Sequence, residues 1–286
     1  QRVDAPARRQ FEVALQHAWF KLSAGLPATA RSAFAALHAA NPGDPAASTG
    51  LLLACWRLGA KDEARSVLDE VRARSGNTRA AERLHALLTG KLEKDALQAI
   101  LGDPGTSKGT AYELFVDALV CLSARELAGS EAHATAFALA SEAIARADRP
   151  NLAMHIARCD AAAALPEAAV FERCAETLLN LWPRSPEARH ALGLALRKRK
   201  QHEKAIDLFR EALALDPRLG LSHRALGNSL AALGRHEEAL AEFRAALALD
   251  GTDAASHYNA GNALIALQRW PEAIAAFETA IAHDAT

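Results

Sequence analysis

Small and apolar residues recur at helical spacing along most of the chain, and towards its end they also follow a longer period. Five columns of residues repeat there at intervals of 34 positions. The columns are Gly193, Gly227 and Gly261; Ala205, Ala239 and Ala273; Phe209, Phe243 and Phe277; Ala212, Ala246 and Ala280; and Asp216, Asp250 and Asp284. One unit is therefore present in three copies, and such repetition indicates an array of stacked units.

Each copy predicts two helices joined by a short polar turn. In the first copy, apolar positions mark helices at 187–198 and 203–215, on either side of a turn at 199–202. Glycine inside a helix costs roughly 1 kcal/mol relative to alanine, so Gly193 requires a compensating close approach of the two helices. We expect the backbones to cross between Gly193 and Ala205, and the phenylalanine that follows to fill the space beside the crossing.

These residues resemble the tetratricopeptide repeat, whose pattern is W-x2-L-G-x2-Y, then A-x3-F, then P. The resemblance covers 186–286 in three regular repeats, at 186–219, 220–253 and 254–286. The matching residues are Leu192-Gly193-x2-Leu196, Ala205-x3-Phe209 and Pro217; Leu226-Gly227-x2-Leu230 and Ala239-x3-Phe243; and Ala260-Gly261-x2-Leu264 and Ala273-x3-Phe277. Where the family has its first aromatic residue, this chain has Arg189, His223 and His257.

The same frame continues upstream in degenerate form. Residues 1–10 are interpreted as an N-terminal extension, and 11–185 as five irregular hairpins that continue into the three regular repeats. The irregular hairpins are predicted at 11–44, 45–78, 79–101, 111–147 and 151–181, with Gly129-Ser130 breaking the fourth. The resemblance implies an all-α fold, a right-handed α-solenoid of about eight antiparallel helix hairpins.

Composition agrees with an all-α chain and narrows the classes of function. Aromatic residues make up only 5% of the 286 residues, and no run of alternating β-branched residues occurs. A net charge of −1 argues against electrostatic binding to nucleic acid or to an anionic membrane. No apolar stretch reaches the roughly 18 residues of a membrane-spanning helix, so membrane insertion is not expected.

The four cysteines bear on the cellular compartment. They are scattered over apolar helix faces, at Cys55, Cys121, Cys159 and Cys174, as expected for buried free thiols. Free thiols favour a reducing compartment and hence a cytoplasmic location. The chain begins with Gln1 and not with methionine, so a cleaved secretion signal stays open.

No catalytic or metal-binding arrangement is indicated, and neither a cofactor nor a metal is expected. The loop at 102–110 has glycines and a lysine but lacks the G-x4-G-K-[ST] spacing of a phosphate-binding loop. The chain has eleven histidines without an H-E-x-x-H motif, and we expect structural roles for His223 and His257. We therefore expect this segment not to be an enzyme.

The resemblance implies that the first helix of each repeat lines a concave groove. The candidate binding residues there are His190, Arg197, Lys198, Arg224, Asn228, Tyr258, Asn259 and Asn262. Such donors can bind the backbone carbonyls of an extended peptide or a carboxylate. Arg224, Asn228 and Asn259 also match the lysine and two asparagines with which chaperone-binding members of the family clamp a C-terminal carboxylate.

Two further interpretations stay open at this stage. The asparagines could serve only to hydrate a polar groove or to bridge neighbouring helices. The basic run at 197–200 could be a solvated helix end, where cations are favourable, or a patch for an acidic partner.

We therefore predict a non-catalytic scaffold that binds a protein or an extended peptide, acidic or with a free C-terminus, in the concave groove. The alternative is a substrate-recruiting arm of a larger enzyme of glycosyltransferase, sulfotransferase or oxygenase type, whose catalytic domain lies outside this chain. A third alternative is self-association through exposed terminal repeats.

Overall fold

The structure is a computed structural model that describes residues 5–23, 27–75, 83–84, 110–123, 125–147 and 152–284. Its regular elements over these residues are fourteen helices. They are α1 (Ala5–Ser23), α2 (Pro27–Ala40), α3 (Pro45–Arg57), α4 (Lys61–Ser75), α5 (Ala111–Ser123), α6 (Arg125–Arg146), α7 (Leu152–Ala164), α8 (Ala168–Leu181), α9 (Pro186–Lys198), α10 (His202–Leu215), α11 (Gly220–Ala232), α12 (His236–Leu249), α13 (Ala254–Ala266) and α14 (Trp270–Asp284). The predicted all-α class is confirmed.

Two boundaries differ from the sequence prediction. Helix α1 begins at Ala5, inside the segment that was interpreted as an extension. The expected break at Gly129-Ser130 is wrong, because both residues lie inside α6. A glycine weakens a helix by only about 1 kcal/mol, which packing along a helix of 22 residues can offset. The predicted helices at 79–101 lie almost wholly outside the described residues.

The chain divides into two compact units, 1–167 and 168–286. In the first unit, consecutive helices pack on each other from α1 to α4 and from α5 to α7, and α1 additionally packs on α7. Trp19 of α1 makes edge-on ring contacts with Phe34 of α2 and Phe115 of α5, at centroid distances of 5.2 and 5.5 Å. The sequence period did not indicate the packing of α1 on α7. The four cysteines are buried thiols, as predicted.

The second unit is regular. Each helix from α8 to α14 packs on the next, and the first helices of the three hairpins, α9, α11 and α13, also contact one another in series. The turns within the hairpins share one geometry, because Lys200, Gly234 and Gln268 all have a positive φ, of 61°, 76° and 59°. Lysine and glutamine rarely adopt this conformation. The residue types alone therefore did not indicate that the three turns are equivalent.

Helix glycines make room for phenylalanine rings in all three copies. A Cβ atom added at Gly193 or at Gly227 would lie 2.6 Å from Cε1 of the phenylalanine on the second helix, and one at Gly261 would lie 2.7 Å from it. The rings belong to Phe209, Phe243 and Phe277. The ring therefore rests on the glycine itself. Our expectation that it fills the space beside the crossing is wrong. The size of the ring is the reason that the first helix can carry no side chain there.

The first unit contains the same contact with the order reversed. Phe34 of α2 lies on Gly50 of α3, so the ring precedes the glycine in sequence. Both residues are buried. In a repeat that begins at residue 45, Leu52 occupies the position equivalent to Gly193, so Gly50 lies two positions before it.

We expect Gly227→Ala to destabilise the protein by about 1–3 kcal/mol, the usual cost of overpacking a core. The loss occurs although alanine is the better helix former by roughly 1 kcal/mol, because the new methyl group collides with Phe243. Urea unfolding of the full chain, followed by circular dichroism, measures the change. The double variant Gly227→Ala/Phe243→Leu should recover part of the loss.

Gly220→Ala is the matched control for this experiment. Gly220 is also helical, but a Cβ atom there would meet its nearest neighbour, Leu249 Cδ1, at an ordinary 3.7 Å. We expect this variant to be neutral or slightly stabilised. Equal destabilisation by the two alanines would contradict the role of the ring.

Candidate binding surface

The predicted binding residues all lie on the three first helices of the second unit. His190, Arg197 and Lys198 belong to α9, Arg224 and Asn228 to α11, and Tyr258, Asn259 and Asn262 to α13. We call the surface formed by these residues the first-helix face. Lys198, Tyr258 and Asn262 are exposed, whereas Arg197, Arg224, Asn228 and Asn259 are half-buried.

His190 lies in the floor of the face and does not project from it. Its exposure is 6%, and its Nδ1 atom is 2.9 Å from the hydroxyl oxygen of Ser222 on α11, which is itself fully buried. Its ring also packs on Phe209, with a centroid distance of 5.5 Å. His190 thus links α9 to α11 and contributes to the structure of the face.

Arg224 makes the corresponding link from α11 to α13. Its Nη1 atom donates to both carboxylate oxygens of Asp253, at 2.7 and 2.9 Å. Asp253 precedes α13 and also accepts a hydrogen bond of 2.5 Å from the hydroxyl of Ser256. A carboxylate of the chain itself is therefore already bound to the arginine that the family resemblance assigned to a carboxylate clamp.

The serines in these two links occupy one column of the repeat. Ser222 and Ser256 are 34 positions apart and both are fully buried. Sequence reasoning missed them and Asp253. A column of serines inside an apolar helix face was the signal that could have revealed the two serines, since buried hydroxyl groups need partners.

Arg197 differs from Arg224 because no described residue forms a hydrogen bond or an ion pair with its guanidinium group. Burial lowers the pKa of Arg197, and the charge of Arg224 lowers it further. Burial, followed by the charges of Arg197 and Arg224, lowers the pKa of His190 to about 3. Near neutral pH, this part of the face therefore holds the charge of Arg197, the ion pair of Arg224 with Asp253, and a neutral histidine.

The α13 part of the face offers apolar contact together with amides. Tyr258 is 56% exposed, and its ring packs on Phe277 at a centroid distance of 5.5 Å. Ile265 on the same helix is 40% exposed, and Asn262 is exposed between them. An aromatic ring beside amide groups can hold an extended chain without demanding one particular sequence.

The position of the family's first aromatic residue has a structural role in each copy. There the side chain contacts the backbone carbonyl oxygen six residues earlier. It also contacts a side chain on the second helix of the same hairpin. The carbonyl contacts are Arg189 Nη1 to Pro183 at 2.6 Å, His223 Nε2 to Pro217 at 3.2 Å, and His257 Nε2 to Gly251 at 3.0 Å. The structural roles that we predicted for His223 and His257 are confirmed.

Sequence reasoning also missed a series of ion pairs around the first turns of the second helices. Arg235 binds Glu238 and lies 3.9 Å from Glu203 of the preceding copy. Arg269 repeats this arrangement 34 residues later, with Glu272 and, at 3.9 Å, Glu237. These side chains are largely exposed, so each pair stabilises the stack only weakly.

A serine, a histidine and a glutamate also lie together in the first unit. His38 Nδ1 is 3.0 Å from Ser48 Oγ, and His38 Nε2 is 3.2 Å from Glu70 Oε2. Ser48 is only 2% exposed, and its hydroxyl donates to the carbonyl oxygen of Asp44 at 2.9 Å. A buried hydroxyl that donates elsewhere is not placed to attack a substrate, so we assign this group a structural role.

The described residues contain neither a metal-binding cluster nor a helix suited to cross a membrane. No group of three or more histidine, cysteine, aspartate or glutamate side chains there is arranged to hold a metal ion. Within the same residues, no helix combines the length and the apolar character that a membrane crossing requires.

The consecutive hairpins and the series of first helices define a helical repeat protein. Tetratricopeptide repeat models match residues 21–88, 186–219, 227–268 and 254–286. The chain belongs to the tetratricopeptide repeat family. A comparison with curated proteins found no match.

Among the solved structures with a similar fold, three cover different shares of this chain. The Cut9–Hcn1 hetero-tetramer of APC/C has a TM-score of 0.60 at 14% identity, over 90% of this chain and 50% of that one. MamA has a TM-score of 0.46 at 18% identity, over 57% of this chain and 94% of that one. YrrB, described as a TPR protein with an unusual peptide-binding site, has a TM-score of 0.43 at 20% identity, over 65% of this chain and 93% of that one. At such low identity, these likenesses concern the fold alone.

We expect acid to destabilise the second unit through His190. Its pKa of about 3 in the folded state lies below the value of about 6.5 for an unfolded histidine. Between these two values the unfolded state binds more protons, so stability falls as the pH falls, by at most about 1.4 kcal/mol per pH unit. His190→Asn should remove this dependence. Urea unfolding of the full chain at several pH values from about 7.5 to 4 measures the slope.

His223 provides an internal comparison of opposite sign. The hydrogen bond from its Nδ1 atom to Glu242, 2.6 Å long, raises the pKa of His223. Its contribution is therefore fully present below the unfolded value of about 6.5 and is lost as the pH rises through the raised pKa. His223→Gln should lower stability more in mild acid than in mild alkali. Parallel pH curves for wild type and both variants would contradict these assignments.

Proposed function

We propose that this protein is a non-catalytic scaffold that binds an extended segment of a partner protein along the first-helix face. One observation carries the proposal: three packed helices present exposed or half-buried hydrogen-bond donors side by side. Beneath these donors, the polar groups of His190 and Arg224 are already paired within the chain. Folding uses the groups in the floor, so the groups above them are available to a ligand.

The chemistry of the face favours a peptide as the ligand. Asn228, Asn259 and Asn262 each carry a donor and an acceptor, which match the C=O and N–H groups of an extended backbone. Tyr258 supplies apolar area of the kind that commonly anchors an interface. The cations of α9 favour acidic side chains or a free C-terminus over basic segments.

We also propose that the last helix associates with a second copy of this chain. Trp270, Ile274 and Ile281 of α14 are 56%, 59% and 70% exposed. Ile274 is equivalent to Ile206 and Leu240 in the preceding copies, which are only 1% and 2% exposed. In those copies the following repeat covers the position, so a second copy of the chain could supply apolar contact of the same kind.

For the binding face, we expect the triple variant Asn228→Ala/Tyr258→Ala/Asn259→Ala to lose the partners that wild type captures from a lysate. Loss of backbone hydrogen bonds and of an aromatic anchor should reduce capture at least tenfold, as expected for a loss of about 1.4 kcal/mol or more. Quantitative mass spectrometry of cross-linked pull-downs gives the ratio for each captured protein.

The matched control for the binding face changes three exposed residues of the second unit that lie on other helices. It is Glu176→Ala/Lys204→Ala/Asp207→Ala, on α8 and α10. This variant should capture the same proteins as wild type. Identical protein lists from the triple variant and from wild type would move the binding surface away from the first-helix face.

For self-association, we expect Ile274→Glu/Ile281→Glu to convert the wild-type dimer to a monomer. A charge at an apolar contact must be desolvated, which opposes association. Light scattering coupled to size-exclusion chromatography reports the mass at several protein concentrations. A wild-type chain that stays monomeric at the highest concentration would exclude this second proposal.

A further inference from the structure

We propose that Arg197, and not Arg224, receives an acidic group of the ligand, and that Asp253 causes this difference by occupying Arg224. This inference rests on the proposed function of the first-helix face. It concerns one anion-binding position between α9 and α11, for a carboxylate of a glutamate or aspartate side chain or of a chain end.

Among the described residues, Arg197 has no carboxylate paired with it. Its side chain is half-buried in the last turn of α9, and no described residue accepts a hydrogen bond from it. Partly buried guanidinium groups are normally paired, because removing a cation from water is costly without compensation. The lowered pKa of this group expresses the same cost. A ligand carboxylate would supply the missing charge and accept two parallel hydrogen bonds.

Neither His190 nor Arg199 offsets the charge of Arg197. His190 is neutral near neutral pH because its pKa is about 3. Arg199, two residues further along, is paired with Glu172 of α8. Arg224 is close enough to lower the pKa of Arg197, which adds positive potential at this position. An anion placed at Arg197 would therefore compensate a charge that the neighbouring His190 and Arg199 leave uncompensated.

Arg224 is already neutralised within the chain. Asp253 lies 2.7 and 2.9 Å from its Nη1 atom through the two carboxylate oxygens and is only 17% exposed. The hydroxyl of Ser256 donates to this carboxylate and holds it in place. A ligand carboxylate at Arg224 would meet the negative charge of Asp253 at close range, which disfavours it. Asp253 thus excludes acidic groups from the position that the clamp resemblance had assigned to them.

It follows that Asp253 sets the number of acidic groups that the face accepts. With Asp253 present, one carboxylate is accepted, at Arg197. With asparagine in its place, the Arg224 guanidinium has a neutral partner of the same shape and can bind a second carboxylate. The serine hydroxyl can still donate to the amide oxygen of that asparagine, so the link to α13 is retained.

Solution NMR of the arginine Nε–Hε groups tests this assignment directly in the full chain. The probe is N-acetyl-glutamate N-methylamide, titrated at constant ionic strength, with the glutamine analogue as the neutral control. Arg197→Lys and Arg224→Lys identify the two signals. Arg173, exposed on α8, reports non-specific ionic effects within the same sample.

We expect a saturable shift of the Arg197 signal with the glutamate probe alone, while the Arg224 and Arg173 signals stay unchanged. Arg197→Gln should weaken binding of the probe at least about fivefold, as for the loss of one charge-assisted hydrogen bond. In Asp253→Asn, the Arg224 signal should respond as well. Asp207→Asn makes the same charge change at an exposed position of α10, and its arginine signals should respond to the probe as those of wild type do.

Three results would overturn the inference. The first is an Arg224 signal that shifts in wild type before that of Arg197. The second is an Arg197 signal that moves no more than that of Arg173. The third is an Arg224 signal that stays silent in Asp253→Asn. None of them affects the peptide-binding proposal, which depends on the pull-down and on the asparagine and tyrosine variants. Conversely, a pull-down without specific partners would remove that proposal even if Arg197 bound the probe.

Discussion

The contact between a phenylalanine ring and a helix glycine is the interaction on which the repeated hairpins depend. At Gly193, Gly227 and Gly261 the ring comes so near the backbone that even a methyl group would collide with it. The distance between the paired helices is therefore nearly the same in each copy. Equal hairpins can stack at equal intervals, which brings α9, α11 and α13 into series. The binding surface is a consequence of this packing.

Polar links between successive copies complete that surface. His190 reaches Ser222, and Arg224 reaches Asp253 and Ser256, so folding uses two of the residues that the sequence marked as ligand donors. Buried polar groups are stable only when they are paired. Residues above these links, such as Asn262 and Tyr258, are exposed. The face thus combines a paired floor with donors that a ligand can reach, which is why we place peptide binding there.

Sequence reasoning was most accurate where the repeat is most regular. The predicted helices at 187–198 and 203–215 differ by one residue from α9 and α10, because apolar spacing and the turn residues agree in this region. In the first unit the breaker at Gly129-Ser130 was misleading, and the ring contact at Gly50 was missed. In that unit the 34-residue period is irregular. A local sequence signal such as a glycine therefore has no equivalent residue in another copy that would support or contradict it.

The sequence by itself determined the helical class, the family resemblance and the three copies at 186–286, because each depends on periodic local spacing. Tertiary structure alone decided the state of each candidate residue. His190, Arg197 and Arg224 are basic residues on neighbouring helices, yet His190 is buried and neutral, Arg197 has no partner among the described residues, and Arg224 is bound to Asp253. Burial and partners come from residues about 30 positions away, and such distances are set only when the helices pack.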